Sequence, residues 1–398
     1  MSTRLRIAVT GLAVTYPVGG VFWDYLQWAL GFARLGHDVL YVEDTGRWVY
    51  DPAAATFVES GGRNAAVLAE ALKTLDPGLA KRWFYRDGTG QTYGWPWADV
   101  VEFCRTADLF VHISASCWMR EEYFAADRVV FVDSDPMYTQ ASVEGYLAGT
   151  LAAEARARVE MLLRHDVFFT FAENIRSPDC RVPASLFDWI PIRQPIVLDR
   201  FEPESVPVAE RRRILTTVGS WEPTETGAVV GGTTYVGKSR EFTRFLDLPG
   251  QSRLPIELAV SGKVPTNQLR ALGWTLVDPY PISRDPWVYR HYLSTSLGEW
   301  SVAKHAYVAS RSGWFSCRSA CYLALGVPVV VQDTGFGCAI PIGRGVLPFG
   351  TMEEAVDAIE RLVADPAGHA EAALAIAREY FDSDRVLSRL IDQAACHG

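Results

Sequence analysis

The sequence predicts an α/β protein of two doubly wound parallel halves facing across a cleft, and three observations carry that expectation. Strand-length and helix-length apolar runs alternate along the chain. The strand-length runs are continuous rather than alternating, as strands covered on both faces require. The pattern halts at a proline-rich stretch and then restarts. At 398 residues, 49% of them hydrophobic, the chain can bury two cores.

The elements follow in order. Residues 5–11 form a buried strand, 19–37 a helix with Phe22, Leu26, Ala29, Leu30 and Ala33 at helical spacing, and 38–44 a second strand, which makes a βαβ unit. The runs at 109–114, 128–135 and 167–173 continue the first parallel sheet. Residues 190–210, rich in proline, suit an extended crossing between domains. Strands are then expected at 212–221, 256–262, 275–280, 299–304 and 328–333, with a helix at 315–325 and terminal helices at 353–364 and 367–395. This divides the chain into a first domain at 1–193, a crossing at 194–210, a second domain at 211–366 and a C-terminal helix, 367–398, that packs back on the first. The halves are expected to close on their ligand. No short repeat or low-complexity segment interrupts the pattern.

Composition excludes several classes of function. A net charge of −9 argues against nucleic acid, whose binding needs a basic surface. Seven scattered cysteines with no CxxC pair predict a reducing compartment, hence the cytoplasm, and no zinc site. Cys317 and Cys321 fit one face of a helix. Arg4 and Arg6 precede a short apolar run, but no small-x-small cleavage site follows, so a first strand is expected there rather than a signal peptide. No run is long enough to span a membrane.

In two parallel α/β domains a ligand lies beyond the carboxyl ends of the strands, and polar clusters fall there. Ser312, Gly313, Ser316, Arg318 and Ser319 lead into the helix at 315–325; Asp333, Thr334 and Gly335 follow the strand at 328–333; Lys238 opens another helix. Helix N-termini, two cations and close-approaching glycines together describe a diphosphate cradle. A cation at a helix start opposes the helix dipole, which favours an anion beside Arg318. Lys238 is one of only five lysines among 38 basic residues, so it is less easily incidental.

The stretch SGWFSCRSACYLALGVPVVVQDTGFGCAIPIGRGVLPFG, within a likeness spanning roughly 212–365, resembles the donor domain of GT-B glycosyltransferases. Its Gly-Trp-Phe-Ser and Gln-Asp-Thr-Gly-Phe segments are similar to a bacterial branch of family-1-like transferases. Over 1–190 the resemblance is architectural. It implies two Rossmann-like domains and transfer of a sugar from a nucleotide-diphosphate donor, UDP- or dTDP-linked, to an acceptor held by the first domain. It implies no cofactor and no metal. The sequence departs from the pattern at one place: where retaining members carry Glu-x7-Glu, Gly313 and Cys321 stand here, which leaves the stereochemistry open. Lys238 matches the basic residue at the start of the donor domain's second helix. Ser220 and Trp221 stand where a second basic residue often precedes it, leaving Arg318 to supply that charge.

On the first-domain side, His112 ends an apolar strand and suits an acceptor base or a sugar contact; a core histidine bonded to backbone is the alternative. Asp133 and Asp135 mimic a metal-binding Asp-x-Asp, yet two carboxylates without a third ligand make a poor magnesium site. Either is an alternative base. Gly19 and Gly20 let the first helix approach the phosphates or acceptor, and Asp24 reads as an ordinary first-turn acid. Trp23, Trp95, Trp97, Trp118 and Tyr138 offer stacking surfaces, and Glu299 and Lys304, which could pair with each other or meet the ribose, have no assigned role. The expected partners are a nucleotide sugar and a small hydrophobic natural-product acceptor. A nucleotide-sugar epimerase and a catalytically silent binding protein of the same fold stand as alternatives.

Overall fold

The computed structural model describes residues 4–52, 54–221 and 227–396. Two parallel sheets carry the fold. The first runs in the order Trp189–Pro191, Val167–Thr170, Arg128–Asp133, Leu109–Ile113, Arg6–Thr10, Asp38–Asp44, Trp83–Arg86 and Thr92–Gly94, with only the last strand antiparallel to its neighbour. The strand Arg6–Thr10 sits at the switch point, where Ile7 lies opposite Val39 on one side and Leu109 on the other. Its residues from Ile7 to Thr10 are buried, which explains the unbroken apolar run. The second sheet has the order Thr275–Leu276, Ile256–Gly262, Arg212–Trp221, Ser296–Ser301, Val329–Gln332 and Val346–Phe349, all parallel. Both sheets are doubly wound, as expected.

Several boundaries differ from the sequence reading, each for a local reason. The strand expected at 299–304 is Ser296–Ser301: all six residues are buried between two neighbours, and Lys304 instead directly precedes a short helix. The strand expected at 275–280 ends at Leu276, because Asp278 caps a helical turn that begins at Pro279. The proline-rich stretch is not one extended crossing. Its start, Trp189–Pro191, is the edge strand of the first sheet, where proline's missing N–H does no harm, and short 3₁₀ turns follow. The helix expected at 367–395 breaks into Pro366–Ile376, a π-helical turn at Ala377–Phe381 and Ser383–Cys396. Only the last of these packs on the helix Gly19–Arg34; Pro366–Ile376 stays against the second half. At that crossing a Cβ on Gly31 would stand 2.5 Å from Leu387, so the two helices approach as they do because residue 31 is glycine.

The halves already meet through a shared core. Trp23 and Leu26 of the first helix belong to one buried apolar cluster with Tyr289, Leu293, Phe315 and Tyr322 of the second half. The indole of Trp23 donates to the carbonyl of Pro286 at 2.8 Å. No helix among the described residues is long and apolar enough to cross a membrane.

Candidate functional site

The strands Arg212–Trp221, Ser296–Ser301 and Val329–Gln332 are neighbours at the centre of the second sheet, and their carboxyl ends open on two adjoining cavities. Lys238, Ser301, Val302 and Arg318 line both. Two helices begin at this rim, Lys238–Phe242 and Cys317–Ala324, so their unpaired backbone N–H groups converge on it. A Cβ on Gly219 would lie 3.6 Å from Arg318 Nη1 and 3.9 Å from Lys238 Nζ. Glycine there keeps clear the space on which both cations bear.

Buried polar groups fix the geometry. Arg318 donates from Nε to Glu299 Oε1 at 2.8 Å and from Nη1 to the Val218 carbonyl at 2.8 Å, and its Nη2 lies 2.7 Å from the same Glu299 oxygen. Glu299 is fully buried. Gln332 donates to Glu241 at 2.6 Å and accepts from the Ala303 N–H at 3.1 Å, tying the strand end to the helix of Lys238. Two hydroxyls stand out against this network. Ser239 Oγ and Ser319 Oγ are buried without a hydrogen-bond partner among the described residues, and each serine lines one of the cavities. Buried hydroxyls are ordinarily paired, so both are available to a ligand.

The structure thus brings Lys238, Ser316, Arg318, Ser319 and Thr334 to one cleft. The other four residues expected at the donor are used differently. Ser312 is fully buried, donating to the Tyr307 carbonyl and accepting from the Trp314 N–H. Gly313 has φ +81°, and a Cβ would come within 2.5 Å of Asn174 N, so it is a close contact with the first half. Asp333 accepts from the N–H of Gly335, which itself has φ +93° and abuts the Arg311 carbonyl. These residues shape the loops around the cleft instead of lining it.

On the first-half side the corrections are larger. His112 does not reach the cleft. It is fully buried, its Nδ1 is 3.0 Å from His165 Nε2, and its Nε2 accepts from the Cys117 N–H at 3.3 Å. With both ring nitrogens engaged and burial pushing its pKa well down, it is a structural histidine. Asp133 is buried under donors from Thr139, Gln140 and Thr170, and burial raises its pKa to about 6. Asp135 faces the other half, accepting from Lys304 at 2.8 Å and from the Tyr307 hydroxyl. The two carboxylates are therefore committed separately, and no group of three metal-ligating side chains occurs among the described residues. Gly19 and Gly20 face Tyr289; a Cβ on Gly19 would stand 2.4 Å from that residue's Cβ. They permit the first helix to meet the helix Pro286–Ser294 rather than a ligand. Trp23 is core, whereas Trp118 is 66% exposed and open for stacking.

Sequence reasoning missed Glu299, Ser239 and Asp24. A carboxylate within the strand-length segment "SLGEWS" calls for a partner if the strand is buried, which was a readable signal, but the sequence does not say which partner. Asp24 is half-buried and hydrogen-bonded to Cys317, the first residue of the helix that presents Arg318. Burial raises its pKa to about 6. Nothing in the sequence ties residue 24 to residue 317.

The histidine pair gives a prediction. Burial lowers the pKa of both rings, that of His165 to about 4. The folded state then binds fewer protons than the unfolded chain below the ordinary histidine value of about 6.5. The pair's contribution is complete above that pH and is lost as pH falls through about 4. In urea unfolding from pH 7 to pH 4, His165→Phe should lose less stability than the parent, by on the order of 3 kcal/mol. Parallel curves would remove the pair from the acid sensitivity.

No protein-family model matches this sequence, and no curated protein does either. Solved structures match over the whole chain. An alpha-glucosyltransferase in complex with UDP and a 13-mer DNA containing a central A:G mismatch has TM-score 0.58 at 13% identity, covering 99% of this chain and 100% of that one. AviGT4, a glycosyltransferase involved in Avilamycin A biosynthesis, has TM-score 0.52 at 13% identity, covering 98% and 97%. A glycosyltransferase from Rickettsia africae ESF-5 has TM-score 0.54 at 10% identity, covering 99% of each chain. At these identities the likeness establishes the fold, the two-domain GT-B arrangement of Rossmann-like sheets.

Proposed function

We propose that this chain is a GT-B glycosyltransferase that moves a sugar from a nucleoside-diphosphate donor to a small-molecule acceptor. The observation that carries this reading is the pair of unpartnered buried hydroxyls, Ser239 and Ser319, at two helix starts beside Lys238 and Arg318. Hydroxyls, backbone N–H groups and cations gathered around two adjoining small cavities fit a diphosphate. Neighbours of the same fold that hold UDP support a uridine donor, and the family-1-like likeness keeps a thymidine donor beside it. We assign the donor to the domain at 211–366 and the acceptor to 1–193, joined by the crossing at 194–210, with the return beginning at the π-turn rather than at 367.

Asp24 replaces His112 as the proposed acceptor base. It borders the donor helix from the opposite domain, and burial places its pKa near the range a general base needs. A net charge of −9 favours a small acceptor over DNA, and the avilamycin enzyme is a neighbour consistent with that choice. Turnover of UDP- and dTDP-sugars, followed with candidate acceptors, tests the reading: released nucleoside diphosphate (UDP or dTDP) with a glycosylated product supports it. Epimerised donor, or binding without turnover, points to the two alternatives.

Metal independence is a further expectation. The diphosphate charge is assigned to Lys238, Arg318 and the helix starts, and Asp133 and Asp135 are held by protein donors. Activity should therefore survive EDTA. Loss of turnover restored by magnesium would overturn this assignment.

A further inference from the structure

We infer a second anion site, at the hinge. Where the chain returns from the second half to the first, a cavity of about 350 Å³ lies between the end of the strand Trp189–Pro191, the loop after Val329–Gln332 and the start of the last helix. That volume lies within the range of small-molecule sites, about 300–1,000 Å³. Three guanidinium groups line it, those of Arg193, Arg385 and Arg389.

Only two of these charges are answered. Arg193 pairs with the buried Glu173, and Arg385 Nη1 lies 3.1 Å from Glu379. Among the described residues no hydrogen bond or ion pair engages Arg389; its charge bears on Glu173 only at longer range. One positive charge is therefore in excess beside the cavity. Tyr380 supplies a flat wall whose ring lies 5.6 Å from the Arg193 guanidinium, and Ile192 adds an apolar one. Tyr380 belongs to the π-helical turn, a distortion found disproportionately at functional sites.

This cavity is separate from the donor cleft. Phe315, which lines the donor side, packs on Phe336 and on Phe381, each with ring centroids 5.3 Å apart, and these rings stand between the two spaces. Arginine forks beside an aromatic wall select a small organic phosphate, its phosphate on Arg389 and Arg385 and its body against Tyr380. The site requires no donor and stands independently of the transferase reading.

Equilibrium dialysis of phenyl phosphate against the full chain tests the site. Saturable binding is expected in the parent and in Lys238→Ala, weakened about tenfold in Arg389→Ala and strengthened in Glu379→Gln, which removes the competing carboxylate. Arg389 is exposed, so its replacement leaves the fold intact. Absence of saturable binding in the parent would overturn the site. So would binding that is lost in Lys238→Ala and kept in Arg389→Ala, which would place the phosphate in the donor cleft.

Discussion

Replacing Arg318 by alanine is expected to destabilise the protein by about 3–5 kcal/mol, because the fully buried Glu299 would lose the one cation that pairs with it among the described residues. One oxygen of Glu299 already has no partner among the described residues, so the loss leaves an unanswered carboxylate inside the sheet. Urea unfolding reads this directly. The same variant should weaken UDP binding by about ten- to a hundredfold, the worth of a charge-assisted contact. Stability and binding separate in the double variant Arg318→Leu, Glu299→Leu. Removing both charges together restores most of the stability, since the pair's main energetic role is mutual compensation. Binding should stay weak. A folded double variant that binds UDP as tightly as the parent would refute the assignment of this cleft to a diphosphate.

Asp24→Asn is expected to cut turnover by roughly two to four orders of magnitude while leaving UDP affinity nearly unchanged, the pattern of a lost general base. The substitution is isosteric, and it removes a carboxylate whose pKa burial raises to about 6, so the fold should not suffer. The pH profile supplies the sign. A base must be ionised, so parent turnover should fall as pH drops through about 6, and the residual activity of the variant should lack that limb. For stability the sign reverses. The folded-state pKa lies above the unfolded value, so the parent loses stability relative to the variant as pH rises from about 4 to about 6. Turnover in Asp24→Asn equal to the parent's would move the base elsewhere, with Asp135 the next carboxylate facing the interdomain cleft.

The fold was legible because its signals are local. Continuous apolar runs such as "RIAVT" and "VVVQ" mark strands buried on both faces, and their alternation with helical spacing implies parallel, doubly wound sheets. The cleft on the second sheet was legible in part for the same reason. Lys238 and the Ser316–Ser319 segment announce themselves as polar groups at helix starts, where orphan N–H groups must be answered.

The other half of the site was not legible. His112 and Asp24 each sit in a pattern that permits two fates, and local sequence does not choose between them. Strand register turned His112 toward His165, 53 residues away, and into the core. Packing of the first helix against the second half brought Asp24 to Cys317, 293 positions further along the chain, where burial alters its protonation. By itself the sequence determined the two parallel sheets and the polar helix starts at the carboxyl end of the second. Only the tertiary structure decided which buried charges answer one another and which remain for a ligand, because desolvation and ion pairing depend on distances between side chains that the chain order does not contain.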